Sequence, residues 1–241
     1  PAVKRPTVRS TSTPLTPTEN WCSTGGSDLN GRVTALRSCG LAPVYSETRP
    51  FGYEGGTFSD SAVAAALAAN KPLTLDIAIP GRCLNSCCYC GYYAVNDSGK
   101  LSQGEILDII RQFAKLGGSS VKILGEGEPL LRRDIFDILR EIRACGMNPV
   151  LFTCGDVLGS DDLARDVFGR CSTDLVEDIA DIGCTIVLKF DAWQEDDIVG
   201  TVGYTASRDR ALSAFLDMGF NKCFPSRLGF GVVLLKRNFA E

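Results

Sequence analysis

Four cysteines lie close together in the segment Cys83-Leu-Asn-Ser-Cys87-Cys-Tyr-Cys90. Cys83, Cys87 and Cys90 have C-x3-C-x2-C spacing, and three thiolates are one fewer than a closed zinc or iron–sulfur site requires. A metal site that lacks one protein ligand keeps a position open for a substrate or cofactor. The spacing therefore favours an iron–sulfur cluster with one open iron, held by these three cysteines, with Cys88 outside the ligand set.

Other interpretations of the cysteines remain open on spacing alone. A structural zinc site would need a fourth ligand, either Cys88 or a distant thiol, and buried free thiols are common in protein cores. A thioredoxin-like redox motif would open a helix, whereas Gly91-Tyr-Tyr and Asn96-Asp-Ser-Gly99 indicate a loop. The main alternative is a non-catalytic iron–sulfur or zinc module for electron transfer or interaction.

The composition limits the chemistry that the 241 residues can perform. With 11 Cys and no His, the sequence excludes catalytic triads and zinc–histidine sites. An odd cysteine count at irregular spacing argues against a disulfide framework and predicts a reducing, cytoplasmic location. A net charge of −4 gives no electrostatic signature of nucleic-acid binding. No apolar run approaches the ~18 residues that would span a bilayer.

The chain divides into three parts. Residues 1–20 are rich in Pro, Thr, Ser and Arg and are predicted to form a disordered tail. Residues 21–71 are predicted to form an N-terminal capping segment outside the core, with one alanine-rich helix at 60–70. Residues 72–241 have regular periodicity and are predicted to form the main domain.

Strands and helices alternate through this main domain. Leu73, Leu75, Ile77 and Ile79 alternate with polar or small residues, which is typical of a strand. The capping box Ser102-Gln-Gly-Glu105 opens the first helix. The pattern predicts strands at 73–79, 121–124, 150–153, 185–190 and 228–235, and helices at 102–116, 135–145, 163–168, 175–182 and 206–218. The fold class is therefore α/β, with parallel strands in a partial (β/α) barrel.

Unusual residues follow the predicted strands at their carboxyl ends, where barrels build their active sites. The segment Gly125-Glu126-Gly127-Glu128-Pro129 follows strand two. Taken alone, it is an ordinary strand-to-helix turn or a cofactor-binding loop in which Gly127 permits close backbone approach. Thr153 ends strand three and either binds a ribose hydroxyl or completes the strand end. Lys189 ends strand four and needs an anion nearby, either a cofactor carboxylate or Asp191.

Two of these motifs resemble those of the radical S-adenosylmethionine (radical SAM) enzymes. The family's loop is C-x3-C-x2-C with an aromatic residue before the last cysteine, matched here by Cys83, Cys87, Tyr89 and Cys90. The family's second motif, Gly-Gly-Glu-Pro, follows strand two and receives the methionine amino group. Residues 125–129 resemble it, with Glu126 in the place of the first paired glycine. The resemblance covers residues 72 to about 236.

The resemblance implies cofactors and a reaction. A 4Fe-4S cluster on the three cysteines would cleave S-adenosylmethionine reductively, and the resulting 5'-deoxyadenosyl radical would abstract hydrogen from a substrate. The implied cofactor-binding residues are Tyr89, Gly125, Glu126, Gly127, Glu128, Pro129, Thr153 and Lys189. Implied partners are a peptide, sugar, nucleoside or lipid substrate and a reductant such as flavodoxin or ferredoxin. The family core has six strand–helix units, so a chain with five predicts a barrel incomplete at the C-terminus, with an exposed apolar edge at 230–235.

Overall fold

The computed structural model describes residues 52–90, 101–191, 206–236 and 238. The predicted tail at 1–20 and the first part of the capping segment, residues 21–51, lie outside the described residues. Within the described residues, no helix is long and apolar enough to cross a membrane.

A parallel five-stranded sheet organises the described residues, and its spatial order follows the order of the chain. Each strand pairs in parallel with the next. The strands are β1 (Thr74–Pro80), β2 (Ser120–Glu126), β3 (Asn148–Thr153), β4 (Thr185–Lys189) and β5 (Leu228–Gly231). Over the residues that the structure describes, these five strands form an open sheet, which confirms the predicted α/β partial barrel.

Helices connect the strands, as parallel pairing requires. They are α1 (Asp60–Ala68), α2 (Gln103–Lys115), α3 (Ile135–Ala144), α4 (Asp161–Phe168), α5 (Ser172–Ile182) and α6 (Ala206–Asp217). The predicted helices match these within a few residues. Short 3-10 turns lie at Pro129–Leu131, Val157–Gly159 and Phe220–Lys222.

Local capping explains why the helix boundaries were predictable. The Ser102 hydroxyl accepts a hydrogen bond from the Glu105 amide, and the Glu105 carboxylate accepts one from the Ser102 amide. The C-cap residues of α4 and α5 are glycines in the left-handed conformation, Gly169 and Gly183. Glycine adopts this conformation without the steric cost that a side chain adds.

The hydrophobic core lies between the sheet and its helices. Helix α3 packs against β3, and α2 and α5 pack against α3. The apolar faces of these helices are buried, and the fully buried members include Ile106, Ile110, Ile138, Leu139, Ile142 and Ile179. Burying each such side chain stabilises the fold by about 1.5–3 kcal/mol. This packing fixes the strand ends that carry the predicted site residues.

The fifth strand is shorter than predicted. It was expected to run to residue 235, but β5 ends at Gly231, where it pairs with Lys189. Beyond Gly231 the chain turns toward β4, and the Val233 amide donates to the Asp191 carboxylate instead of to a neighbouring strand. The side chains of Phe230, Val232 and Leu234 are exposed, as expected for this apolar edge.

The described part of the capping segment lies at the amino ends of the strands. Glu54 forms an ion pair with Arg227 at 2.9 Å, and the Ser120 hydroxyl donates to the Gly55 carbonyl. Helix α1 has no buried residue and therefore lies outside the core. The segment covers the edge of the sheet opposite the predicted site.

Candidate functional site

One cavity of about 590 Å³ opens at the carboxyl ends of the strands. It brings together all three predicted metal ligands and seven of the eight predicted cofactor-binding residues. Those lining the cavity are Cys83, Cys87, Tyr89, Cys90, Gly125, Glu126, Gly127, Glu128, Thr153 and Lys189, whereas Pro129 is buried and does not line it. The volume is in the range of small-molecule sites.

The cysteine loop and the turn after β2 are joined through their backbones. The Gly81 amide donates to the Glu126 carbonyl at 3.2 Å, and the Glu128 amide donates to the Arg82 carbonyl at 2.8 Å. Gly127 has φ of +148°, and a Cβ atom there would lie 2.4 Å from the Gly81 carbonyl oxygen. Glycine is therefore required at this position so that the two loops can approach each other, in addition to any approach to a ligand.

Glu128 anchors the turn through its buried side chain. Its carboxylate accepts hydrogen bonds from the Thr153 hydroxyl at 2.6 Å, the Cys154 amide at 2.8 Å and the Leu130 amide at 3.1 Å. Burial raises the pKa of the Glu128 carboxyl, while these hydrogen bonds act in the opposite direction. The Thr153 hydroxyl therefore completes the strand end and fixes the turn, which was one of its two predicted roles.

A second carboxylate, Asp156, holds the first half of the cysteine loop against the segment that follows β3. The Asn85 amide donates to the Asp156 carboxylate at 2.9 Å, and the Cys154 thiol lies 3.1 Å from the same carboxylate oxygen. Burial, followed by the charges of Glu128 and Asp156, raises the pKa of the Cys154 thiol well above its usual value. Asn85 and Cys154 were not predicted as site residues, although both line the cavity.

The second half of the loop contacts the end of β4. The Tyr89 hydroxyl donates a short hydrogen bond to the Asp191 carboxylate. The Lys189 ammonium lies 2.9 Å from the other oxygen of Asp191 and 4.8 Å from the centre of the Tyr89 ring. Asp191, one of the two anions predicted for Lys189, lies beside it.

Arg208 is a cavity residue that the sequence analysis missed. It lies near the start of α6, only 4% exposed, and its guanidinium stacks 4.1 Å from the centre of the Phe190 ring. It also pairs with Asp209 at 2.9 Å. A charged residue in the first turn of a predicted helix looks like a solvent-facing residue, so the sequence carried no signal that this one turns toward the cavity.

The three predicted ligand cysteines differ in exposure. Cys83 is exposed, whereas Cys87 and Cys90 are half-buried. Burial is the main cause that raises the pKa of the Cys83 and Cys87 thiols, and the Tyr89 hydroxyl opposes this rise at Cys87. The loop has one internal hydrogen bond across the ligands, from the Cys90 amide to the Cys87 carbonyl at 3.0 Å.

Cys83, Cys87 and Cys90 line one cavity, as a cluster bound by three thiolates requires. Across the described ranges, no three His, Cys, Asp or Glu side chains form a group that could hold a single metal ion. An iron–sulfur cluster has a different requirement, because its thiolates bind separate iron atoms and surround a volume. The cavity that Cys83, Cys87 and Cys90 line, with polar backbone from residues 125–128 beside it, provides such a volume and room for a small polar cofactor.

Comparisons with known proteins identify the family of the chain. A family model described as "Radical SAM superfamily" matches residues 77–241. The chain is 43% identical over 82 residues to a GTP 3',8-cyclase of Lactiplantibacillus plantarum, covering 32% of this chain and 24% of that protein. It is 40% identical over 104 residues to a GTP 3',8-cyclase of Pectobacterium atrosepticum, covering 41% of this chain and 30% of that protein. The chain thus spans less than a third of the length of these relatives.

A solved structure shares the fold. Streptococcus suis SuiB, in a crystal structure with its precursor peptide SuiA, superposes with a TM-score of 0.50 at 21% identity. The match covers 79% of this chain and 42% of SuiB. The family model extends over more than half of the chain and includes every predicted site residue. The chain belongs to the Radical SAM superfamily, whose members use a 4Fe-4S cluster and S-adenosylmethionine.

Proposed function

We propose that Cys83, Cys87 and Cys90 bind three irons of a 4Fe-4S cluster and that the adjoining cavity binds S-adenosylmethionine. When bound and reduced, these two cofactors supply a 5'-deoxyadenosyl radical that abstracts a hydrogen atom from the substrate. The observation that carries the proposal is the joining of two loops around one cavity. The cysteine loop and the Gly-Glu-Gly-Glu-Pro turn both line it, and the Glu128 amide donates to the Arg82 carbonyl between them.

The remaining cavity residues position the cofactor in this proposal. The backbone of residues 125–129 receives the methionine amino group, and Glu128 holds that turn in place through its three buried hydrogen bonds. Thr153 acts through Glu128, because its hydroxyl already donates to that carboxylate. Lys189 and Tyr89 form one wall of the cavity beside the cysteines.

A soluble one-electron donor such as flavodoxin or ferredoxin is the proposed reductant. Cys83 is exposed while Cys87 and Cys90 are half-buried, so a cluster held by all three would lie close to the protein surface. A partner that docks at the cysteine loop would then need to transfer an electron over only a short distance. The alternative, a non-catalytic cluster used for electron transfer alone, gives no role to the glycine turn and the cavity beside it.

The relatives named GTP 3',8-cyclase favour a nucleotide among the open substrate classes. Peptide, other sugar and lipid substrates are the competing outcomes. The experiment is a comparison of 5'-deoxyadenosine formation with GTP, ATP, a generic peptide and no added substrate. A several-fold stimulation by GTP is expected, whereas equal formation in all four would refute the nucleotide assignment and leave cofactor cleavage intact.

The cofactor assignment is tested by anaerobic reconstitution of this chain with iron and sulfide. We expect about four irons per chain and formation of 5'-deoxyadenosine from S-adenosylmethionine once a reductant is added. Omitting the reductant or adding oxygen provides the control. Purification with stoichiometric zinc and no iron would contradict the proposal, as would an intact cluster that leaves S-adenosylmethionine uncleaved.

A further inference from the structure

Asp191 connects three separate parts of the chain at the cavity wall. Its side chain is 1% exposed and binds two cavity residues, accepting from the Tyr89 hydroxyl on one oxygen and pairing with Lys189 at 2.9 Å on the other. The second oxygen also accepts from the Val233 amide at 2.8 Å. The backbone carbonyl of Asp191 accepts from the Asn238 side chain. Each carboxylate oxygen is therefore engaged, which a buried charge requires.

The residues of the other segment that bonds to Asp191 are Val233, Leu235 and Asn238, here called the C-terminal turn. Asn238 is 6% exposed, and its amide nitrogen donates to the Val233 carbonyl at 2.8 Å as well as to Asp191. Its side-chain oxygen accepts from the Leu235 amide at 2.6 Å. One buried asparagine thus closes the turn on itself and attaches it to Asp191.

Tyr89 links Asp191 to the cysteine loop. It lies between Cys87 and Cys90 in sequence, and its hydroxyl is bonded to Asp191. The first half of the loop has its own anchor in the Asn85–Asp156 hydrogen bond of 2.9 Å. Tyr89 is the corresponding anchor of the second half, because its hydroxyl meets Asp191 and its ring faces the Lys189 ammonium.

We propose that Asp191 is a positioning residue that holds Cys87 and Cys90 in place through Tyr89, and that the C-terminal turn is part of the cluster site because it holds Asp191. The inference rests on the proposed function only in naming the cluster as the group that these cysteines bind. Its structural content, a loop fastened to Asp191, applies equally to the protein without iron.

Two measurements test the proposal, one without and one with the cluster. In the iron-free protein, the alkylation rate of Cys90 is followed by mass spectrometry, because the Tyr89 hydroxyl also bonds to Cys87 and opposes the rise of its pKa, which would change the reactivity of Cys87 directly. Cys223 is the internal reference outside the loop. In the reconstituted protein, the rate of iron release to a chelator is measured. The variants are Tyr89→Phe, Asp191→Asn and Asn238→Ala, and the matched control is Asp76→Asn, which disrupts an exposed Asp–Lys pair between β1 and β2.

Tyr89→Phe and Asp191→Asn are expected to raise both rates about tenfold, because a hydrogen bond to a charged group contributes at least one factor of ten. Asn238→Ala is expected to act in the same direction, and Asp76→Asn to leave both rates unchanged. In the Tyr89→Phe/Asp191→Asn double variant, the effect should be smaller than the sum of the two single effects, since both changes act on the same Tyr89–Asp191 contact. A merely structural role would instead give additive effects.

The outcomes separate this inference from the proposed function. A wild-type protein that binds a cluster, with variants whose rates equal those of Asp76→Asn, overturns the inference and leaves the function standing. A wild-type protein that binds no iron overturns the function, while the alkylation rates still decide the inference. If circular dichroism shows that Asp191→Asn does not fold, Tyr89→Phe alone decides the test, because it removes only a hydroxyl from a partly exposed ring. Unchanged rates in Tyr89→Phe would refute the proposal.

Discussion

The two edges of the sheet use their polar residues in opposite ways. At the amino edge, Glu54 and Arg227 form a pair whose side chains are 14% and 5% exposed. Arg143 donates to the carbonyls of Ile182 and Gly183 and to the Asn148 side chain. These groups fill the space between the strand starts and the capping segment. At the carboxyl edge, thiols and glycine backbone surround an open cavity.

The difference supports the proposal that the amino edge serves stability and the carboxyl edge serves binding. Most polar groups described at the amino edge pair with one another, as expected at the stability face of a barrel. At the carboxyl edge, the polar groups that are paired, Glu128, Asp156 and Asp191, each fasten a loop that carries other residues into the cavity. Changes at the two edges should therefore separate folding stability from cofactor binding.

The largest expected effect is at the carboxyl edge, in Cys87→Ala. Removing one of three thiolates should abolish the cluster, because only two protein ligands would remain. Iron and sulfide content after anaerobic reconstitution measures this loss. The matched control is the neighbouring Cys88→Ala, which should keep the full iron content. Equal loss in both variants would mean that the ligand assignment is wrong.

At the amino edge, Glu54→Gln should lower the free energy of unfolding by about 3 kcal/mol, because Arg227 would be left as a buried cation without its carboxylate. Urea unfolding measures this change. The same variant should bind as much iron as the wild type once folded, since the pair lies at the far end of the strands. A folded Glu54→Gln protein with a depleted cluster would break the proposed separation of the two edges.

Thr153→Val tests the boundary between stability and binding at the carboxyl edge. The hydroxyl donates to Glu128 at 2.6 Å and accepts from the Gly155 amide at 3.0 Å. Leaving these buried partners unpaired should cost about 2 kcal/mol of unfolding free energy, and Thr153→Ser should recover most of it. Unchanged stability with weaker S-adenosylmethionine binding would favour the ribose contact that was the other predicted role.

The smallest expected effect is a pH dependence of the free energy of unfolding, caused by Asp161, which belongs to neither edge. The Ser172 amide and hydroxyl donate to this carboxylate at 2.9 and 2.7 Å and lower its pKa below the usual 3.8. Because folding lowers the pKa of this carboxyl, its ionised form stabilises the folded state at pH values above the usual pKa. This stabilisation is lost as the pH falls through the lowered pKa of the folded state. Asp161→Asn should therefore cost about 1 kcal/mol at pH 7.

The difference between Asp161→Asn and the wild type should shrink as the pH falls below about 4, which urea unfolding at pH 7 and pH 3 measures. Asp162→Asn is the matched control, because its side chain is fully exposed and its nearest cation is 3.9 Å away. A constant difference across this pH range would show that the Ser172 contacts do not depend on the charge of Asp161.

Local signals made most of the fold predictable from the sequence. The Ser102 capping box and the glycines that end α4 and α5 set helix boundaries that depend on neighbouring residues alone. The end of β5 was not predictable, because it depends on a hydrogen bond from Val233 to Asp191, 42 residues earlier in the chain. Apolar residues that continue past Gly231 gave the same pattern as a longer strand.

The site residues divide in the same way, into those that the sequence pattern predicts and those that depend on long-range packing. Sequence spacing brought the cysteines and residues 125–129 together, because the ends of adjacent parallel strands meet at one edge. Arg208 and Asn85 were missed because their roles depend on where α6 packs and how the loop folds, which leave no local pattern. Thr153 was left between two roles, and its contact with Glu128 arises only when β2 and β3 pair.

The central claim is that the three cysteines and the adjoining cavity form one cofactor site. The most direct test is the electron paramagnetic resonance spectrum of the reconstituted, reduced protein, recorded with and without S-adenosylmethionine. The account predicts the signal of a reduced 4Fe-4S cluster that changes when S-adenosylmethionine is added, because the open iron becomes coordinated. A cluster signal that stays unchanged at saturating S-adenosylmethionine would contradict it.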